Sequence, residues 1–255
     1  MPKRACQIIT VANQKGGVAK TTTAVNLAHG LARKGAEVLI VDLDPQAQCS
    51  TLLGVGQEPG ILNLLVSKRP HKELVRFTGR DRLWLIPGSK DTSVVQVVLS
   101  AQRAPISILR DALDPLTRNG LHYIVIDTAP SVGDIQAMAV WAANHVLIPT
   151  ACDYASSEGV LKLYDTMSGL AKDWGWEGGL LGILPTFFDS QTHETRATLE
   201  YMEKHFYGLL LSPVHRATVL RECMALGQTI FELDPESRAA KEYTDLVDRV
   251  WRVTQ

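Results

Sequence analysis

The sequence predicts an α/β protein, a mostly parallel twisted sheet covered by helices on both faces. Three observations carry this expectation. Short apolar runs recur at 7–12, 37–41, 83–86, 123–126, 145–148 and 180–184, with a weaker one at 209–211. Both faces of these runs are hydrophobic, as strands buried on both sides of a parallel sheet require. Stretches with helical spacing fall between them, and short right-handed crossovers then place the strand C-terminal ends on one edge.

Taken in order, run 7–12 leads directly into the Gly-rich segment Asn13-Gln-Lys-Gly-Gly-Val-Ala-Lys-Thr-Thr22. The stretch 22–34 carries Val25, Leu27, Ala28, Leu31 and Ala32 at helical spacing, and Gly35 supplies a left-handed stop. Residues 55–120 are the least regular part of the chain. Helices are expected at 156–174, 192–206 and 235–253, the last with Tyr243, Leu246, Val247 and Val250 in one apolar stripe. There is no internal repeat, low-complexity tract or long linker. The expectation is one domain over 1–255.

At 255 residues the chain can bury a sizeable core, and 45% hydrophobic with 21% charged residues is ordinary for a soluble globular protein. With 26 basic against 27 acidic residues, no global field recruits nucleic acid or acidic lipid, which leaves only a local patch for that purpose. Cys6, Cys49, Cys152 and Cys223 lie far apart with no CxxC pair, a pattern of reduced, buried thiols. The first ten residues hold two basic side chains but no long apolar run, so they do not form a signal peptide. No stretch approaches roughly 20 apolar residues, and no membrane span is expected. These readings predict a cytoplasmic protein.

A strand, a Gly-rich turn and a helix start together suit phosphate binding. Successive backbone N–H groups and the positive end of the helix dipole converge on an anion. Gly16 and Gly17 permit close backbone approach, Lys20 can reach the β- and γ-phosphates, and the Thr21 hydroxyl can ligate Mg2+. A strict G-x-x-x-x-G-K-[ST] pattern fails, because Asn13 and Ala19 stand where glycines are expected. A plain helix-capping glycine turn is the competing reading.

Two further segments hold carboxylates. Val41-Asp-Leu-Asp-Pro-Gln46 places Asp42 and Asp44 at the end of the second run, though an Asp before Pro also starts turns. Tyr123-Ile-Val-Ile-Asp127 closes an apolar strand with Asp127, which is costly unless a cation or hydrogen bonds compensate it. A helix-cap aspartate is the alternative there.

Lys15-Gly-Gly-Val-Ala-Lys-Thr-Thr-Thr23, Val41-Asp-Leu-Asp-Pro-Gln46 and Ile124-Val-Ile-Asp-Thr-Ala-Pro130 together resemble the ParA/MinD (SIMIBI) group of deviant Walker-type P-loop ATPases. Within it, the chain is similar to the short, Soj-like ParA branch. The resemblance implies ATP and Mg2+ as cofactors, with Lys15, Gly16, Gly17, Val18, Ala19, Lys20, Thr21 and Thr22 around the nucleotide. It implies catalytic roles for Lys15, Lys20 and Asp44, and a metal role for Thr21, Asp42 and Asp127. Lys15 would reach the partner subunit's nucleotide in an ATP-bound homodimer and stabilise charge there, or else remain a solvated loop residue. Asp44 would orient the attacking water. Leu184-Pro-Thr-Phe-Phe-Asp-Ser190 and Phe231-Glu-Leu-Asp-Pro-Glu-Ser-Arg238 resemble segments that hold the adenine, making Thr186, Asp234 and Pro235 candidates. Asp234-Pro-Glu236 also reads as a helix start.

The same resemblance implies binding to DNA without sequence preference and a ParB-like or other cargo adaptor. Arg196, Arg216, Arg221 and Arg249 are the DNA-contact candidates, with Lys204, Arg238, Lys241 and Arg252 as further contributors. Scattered solvated charge is the bland alternative, since Gln191 and Val219 stand where the family carries arginines. The chain begins at its first strand, so no N-terminal helix-turn-helix is expected. Its last helix lacks the basic, leucine-rich character of a membrane anchor. The expected product is a nucleoid-associated ATPase that positions a plasmid or chromosome. The same motifs also suit a protein cargo such as a chemoreceptor cluster or carboxysome, and a non-hydrolysing nucleotide-binding scaffold is a third reading.

Overall fold

The computed structural model describes residues 5–130 and 133–254; the basic start at 1–4 and the terminal Gln255 lie outside them. The strands are β1 (Gln7–Val11), β2 (Val38–Asp42), β3 (Arg76–Phe77), β4 (Leu83–Ile86), β5 (Tyr123–Asp127), β6 (His145–Ala151) and β7 (Gly179–Thr186). The longer helices are α1 (Lys20–Arg33), α5 (Thr92–Ala101), α6 (Ile108–Thr117), α7 (Asp134–Ala142), α8 (Tyr154–Trp174), α9 (His193–His205), α10 (Val219–Leu226) and α12 (Arg238–Val253). Short turns of helix are α2 (Gln48–Leu53), α3 (Ile61–Leu65), α4 (His71–Leu74) and α11 (Ile230–Leu233).

The seven strands form one sheet in the order β3-β4-β2-β5-β1-β6-β7, parallel except for the two-residue edge strand β3. Alternation along each strand splits the core, because successive side chains point to opposite faces. Ile9, Val11, Val38, Ile40 and Val125 pack with α1 and α12. Ile8, Leu39, Val41, Ile124 and Ile126 pack on the other face with α3, α5, α6 and α7. Val146 and Ile148 of β6 extend that layer against Val160, Leu163 and Met167 of α8. Each such side chain, fully buried, contributes about 1.5–3 kcal/mol.

Helix α1 is fixed to the C-terminal third by polar contacts within this core. Asn26 Oδ1 accepts from Ile230 N at 3.0 Å, and His29 Nδ1 and Thr229 Oγ1 are hydrogen-bonded at 2.6 Å. The expected stripe Tyr243, Leu246, Val247 and Val250 is buried against the body.

Several expectations change, and α8 starts at Tyr154 rather than at 156. The weak run 209–211 is no strand: it makes one bridge, Ile183 to Leu210, and Pro213 with no N–H stops it from extending. Helix α1 starts at Lys20, two residues before the expected boundary, since Ala19 already turns the chain. Helix α12 starts at Arg238 rather than at 235, because the Ser237 side chain caps it by accepting from Ala240 N at 3.1 Å. Asp42 ends β2, whereas Asp44 lies in the loop beyond it. The irregular 55–120 region resolves into α3–α6 with β3 and β4.

Candidate functional site

Parallel register assembles the site. Val11 of β1 and Asp42 of β2 both lie opposite Asp127 of β5, the strand between them. The loop after β1 and the carboxylates ending β2 and β5 therefore meet on one edge of the sheet.

The loop is anchored by Asn13, which is fully buried. Its Nδ2 donates to Pro149 O at 2.8 Å and its Oδ1 accepts from Lys15 N at 2.9 Å. Gly17 then has φ 72°, the left-handed region that glycine enters without cost. Ala19 follows at φ 64° and ψ 32°, also left-handed and strained for a residue with a Cβ. Ala19 brings no side-chain oxygen to the first turn of α1, so its N–H groups and the positive helix end are presented to an anion.

Lys20 and Thr21 are buried in that first turn. Lys20 Nζ donates to Lys15 O at 2.9 Å; burial lowers its pKa, while Asp127 and Asp44 act in the opposite direction. Thr21 Oγ1 donates to Asp127 Oδ2 at 2.7 Å. Asp127 has no exposed surface, and its Oδ1 finds no hydrogen-bond partner among the described residues. Burial pushes its pKa up to about 7 against the opposing Thr21 hydrogen bond. Asp42 is as deeply buried, accepting from Asp44 N at 2.9 Å and Cys49 N at 3.2 Å. Its pKa is raised by burial and, next, by Asp127 alongside.

Two buried carboxylates and one unmatched oxygen next to a hydroxyl form an oxygen-rich set that a hard divalent cation stabilises. The residues present thus fit Mg2+ with a phosphate chain along the start of α1. Asp44 stands nearby, 8% exposed, with Gln46 N donating to its Oδ1 at 2.8 Å.

Lys15 is held on the far side of the loop. Its Nζ pairs with Asp153 Oδ1 at 2.7 Å, and Asp153 also caps α8 by accepting from Ser156 N at 2.9 Å. Burial acts to raise the Asp153 pKa, but the bonds from Lys15 and Ser156 outweigh it and lower it. Gly16 lies open beside Pro130, Val18 is buried, and Thr22 is half-buried in the first turn.

Of the adenine candidates, the structure brings Thr186 to the loop: it is buried and donates to Val18 O at 3.3 Å. Asp234 and Pro235 stand exposed in the turn before α12. Among the described residues no hydrogen bond joins them to the loop. The basic candidates are all exposed. Arg216 lies 5.7 Å over the Phe187 ring and, with Arg238 and His215, lines a recess of about 370 Å³. Arg249 and Arg252 line another of about 780 Å³ along α12. Arg196 and Arg221 sit on α9 and α10, so the four primary candidates occupy separate elements.

Sequence reasoning missed Gly88, Cys49 and Asp153 and treated Asn13 only as a departure from pattern. A Cβ at Gly88 would fall 2.6 Å from Asp44 O and 3.0 Å from Asp42 O, so only glycine lets the 87–89 segment back the two aspartates. Asp153 had a signal, an acidic residue three positions before an expected helix. Cys49 had none.

A family model described as an AAA domain matches residues 6–175. Chromosome partitioning protein ParA of Myxococcus xanthus is 36% identical over 247 residues, covering 94% of this chain and 86% of that one. Sporulation initiation inhibitor protein Soj of Bacillus subtilis is 33% identical over 248 residues, covering 96% and 98%. Among solved structures, cobyrinic acid a,c-diamide synthase from Mycobacterium smegmatis with bound ADP and magnesium superposes with a TM-score of 0.83 at 28% identity, covering 98% and 97%.

Proposed function

The chain belongs to the ParA/Soj family of partition ATPases, and on that premise we propose that residues 1–255 act as one ATPase domain that binds ATP with Mg2+, pairs as a homodimer and holds DNA without sequence preference. The observation that carries the reading is the orphaned Asp127 Oδ1 beside Thr21, at the start of a helix whose N–H groups face the same edge.

In this reading Thr21, Asp42 and Asp127 hold Mg2+, which supplies positive charge to the phosphate oxygens when bound. The N–H groups from Gly16 through Thr22 cradle the phosphates, and Lys20 neutralises the charge that builds on them. Asp44 accepts a hydrogen bond from the attacking water and orients it. Thr186 flanks the nucleotide from the end of β7, with Asp234 and Pro235 assigned to the adenine side by resemblance. Lys15 leaves Asp153 to meet the partner subunit's nucleotide. The related synthase bound to ADP and magnesium supports the ligand pair.

Arg196, Arg216, Arg221 and Arg249 are assigned to DNA phosphates, and a ParB-like or other adaptor is assigned to the cargo. No helix among the described residues is long and apolar enough to cross a membrane; a cytoplasmic, nucleoid-bound location is assigned from the partition relatives. ATP turnover and DNA binding across a salt series test this directly. Lys20→Ala should abolish nucleotide binding, and Asp44→Ala should bind ATP without hydrolysing it. Parent-rate hydrolysis by Asp44→Ala overturns the assigned chemistry. ATP-bound protein with no salt-sensitive DNA affinity overturns the DNA half alone.

A further inference from the structure

We propose that Asp42, Cys49 and Asp127 form a binding site for a thiophilic divalent cation of the zinc class, whose occupancy excludes Mg2+ from the nucleotide loop. The ligand atoms of the three side chains lie within 4.8 Å of one another, and none of the three residues has exposed surface. Cys49 is placed there by the fold. It enters on the first turn of α2, its N–H donates to Asp42 Oδ2 at 3.2 Å, and its Sγ lies 3.5 Å from Asp127 Oδ2.

A second observation points to a ligand. The buried Asp127 Oδ1 is without a hydrogen-bond partner among the described residues, an atom that a cation in this cluster would satisfy. Donor chemistry then selects the ion. Magnesium takes oxygen ligands and gains little from sulfur, whereas zinc and cadmium accept thiolate and carboxylate together. Two carboxylates and one thiolate give three protein ligands, with water to complete a tetrahedral shell.

Binding is redox-neutral. The Cys49 S–H bond breaks, its proton passes to solvent, and the sulfur electron pair forms the bond to the metal. One additional proton is therefore released per ion bound by the thiol.

Cd2+ titration of the full, nucleotide-free chain tests the proposal through the thiolate-to-cadmium charge-transfer absorbance. The parent should show a saturating band that Zn2+ displaces. Cys49→Ser, which nearly keeps the side-chain volume, should lose that band while far-ultraviolet circular dichroism stays unchanged. Its Zn2+ affinity should fall by about tenfold or more. Asp127→Asn, with the thiol intact, should weaken Cd2+ binding to a similar degree. A band that persists in Cys49→Ser assigns the ion to Cys6, Cys152 or Cys223 and overturns the site. Only the exclusion of Mg2+ rests on the proposed nucleotide site. A Cys49-dependent band unaffected by saturating Mg2+ and ATP overturns that exclusion. Failure of the ATP reading itself would appear separately, as absent nucleotide binding without cadmium.

Discussion

Lys15 Nζ lies 2.7 Å from Asp153 Oδ1, so the lysine assigned to a partner subunit is held within its own chain. The two side chains are about a third exposed, at 34% and 40%, which makes this a modest surface pair. Any use of Lys15 across a dimer must first break it.

Asp153→Asn should therefore favour ATP-dependent pairing. Asparagine keeps the cap on α8 and removes the charge, and an exposed pair of this kind contributes about 0.2–1 kcal/mol. The dimerisation constant with ATP, measured by sedimentation, should tighten by up to about fivefold. Weaker pairing in this variant would show that Asp153 assists the dimer instead of competing with it.

Ala19→Gly should raise stability by up to about 1 kcal/mol in urea unfolding. Alanine at φ 64° carries a left-handed penalty of about 1–2 kcal/mol, partly offset by the greater freedom of glycine when unfolded. Ala47 at φ 51°, preceding α2, should respond in the same direction.

Gly88→Ala should act oppositely. The added methyl meets backbone atoms of Asp44 and Asp42, which cannot swing aside as a flexible side chain could. A loss of about 1–3 kcal/mol is expected, together with weaker Mg2+-dependent nucleotide binding. Parent-like values in both measurements would remove Gly88 from the site's support.

His29 gives a pH dependence of known sign. Burial, opposed by Glu232 and reinforced by Arg80 and Arg33, lowers its pKa from 6.5 to about 4. The unfolded chain then binds more protons than the folded one between those values, so stability falls as pH drops through that window. The loss reaches at most about 3 kcal/mol below pH 4. The half-buried His145 is shifted the same way. His29→Gln should flatten the pH 4.5–6.5 limb of a thermal denaturation series; an unchanged slope would assign that limb to other groups.

What was legible in the chain follows from local causes. Val38–Asp42 and Tyr123–Asp127 announce themselves because both faces of these strands are buried and nearly every residue is apolar. Lys15 through Thr22, with Asp42, Asp44 and Asp127, stood out as candidates because phosphate and cation chemistry restricts residue type and spacing, and the structure gathers Thr21, Asp42 and Asp127 at one sheet edge. The support could not. The places of Cys49 and Gly88 depend on how 43–53 and 87–89 fold back onto the strand ends, a long-range matter. The edge strand Arg76–Phe77 is two residues long and has no periodicity to detect. Ala19 was a departure without a meaning until its backbone angles were known.

Helix α1 has a mechanical consequence. It is a rod about 21 Å long with the phosphate loop at its head. Two rivets, Asn26 to Ile230 and His29 to Thr229, pin its flank to the far end of the chain. Lys20 and Thr21 open this helix, and the 229–233 segment it is pinned to leads into α12, which carries Arg238 and Arg249. One rod therefore ties the loop at its head to the segment that leads into the arginine-bearing helix.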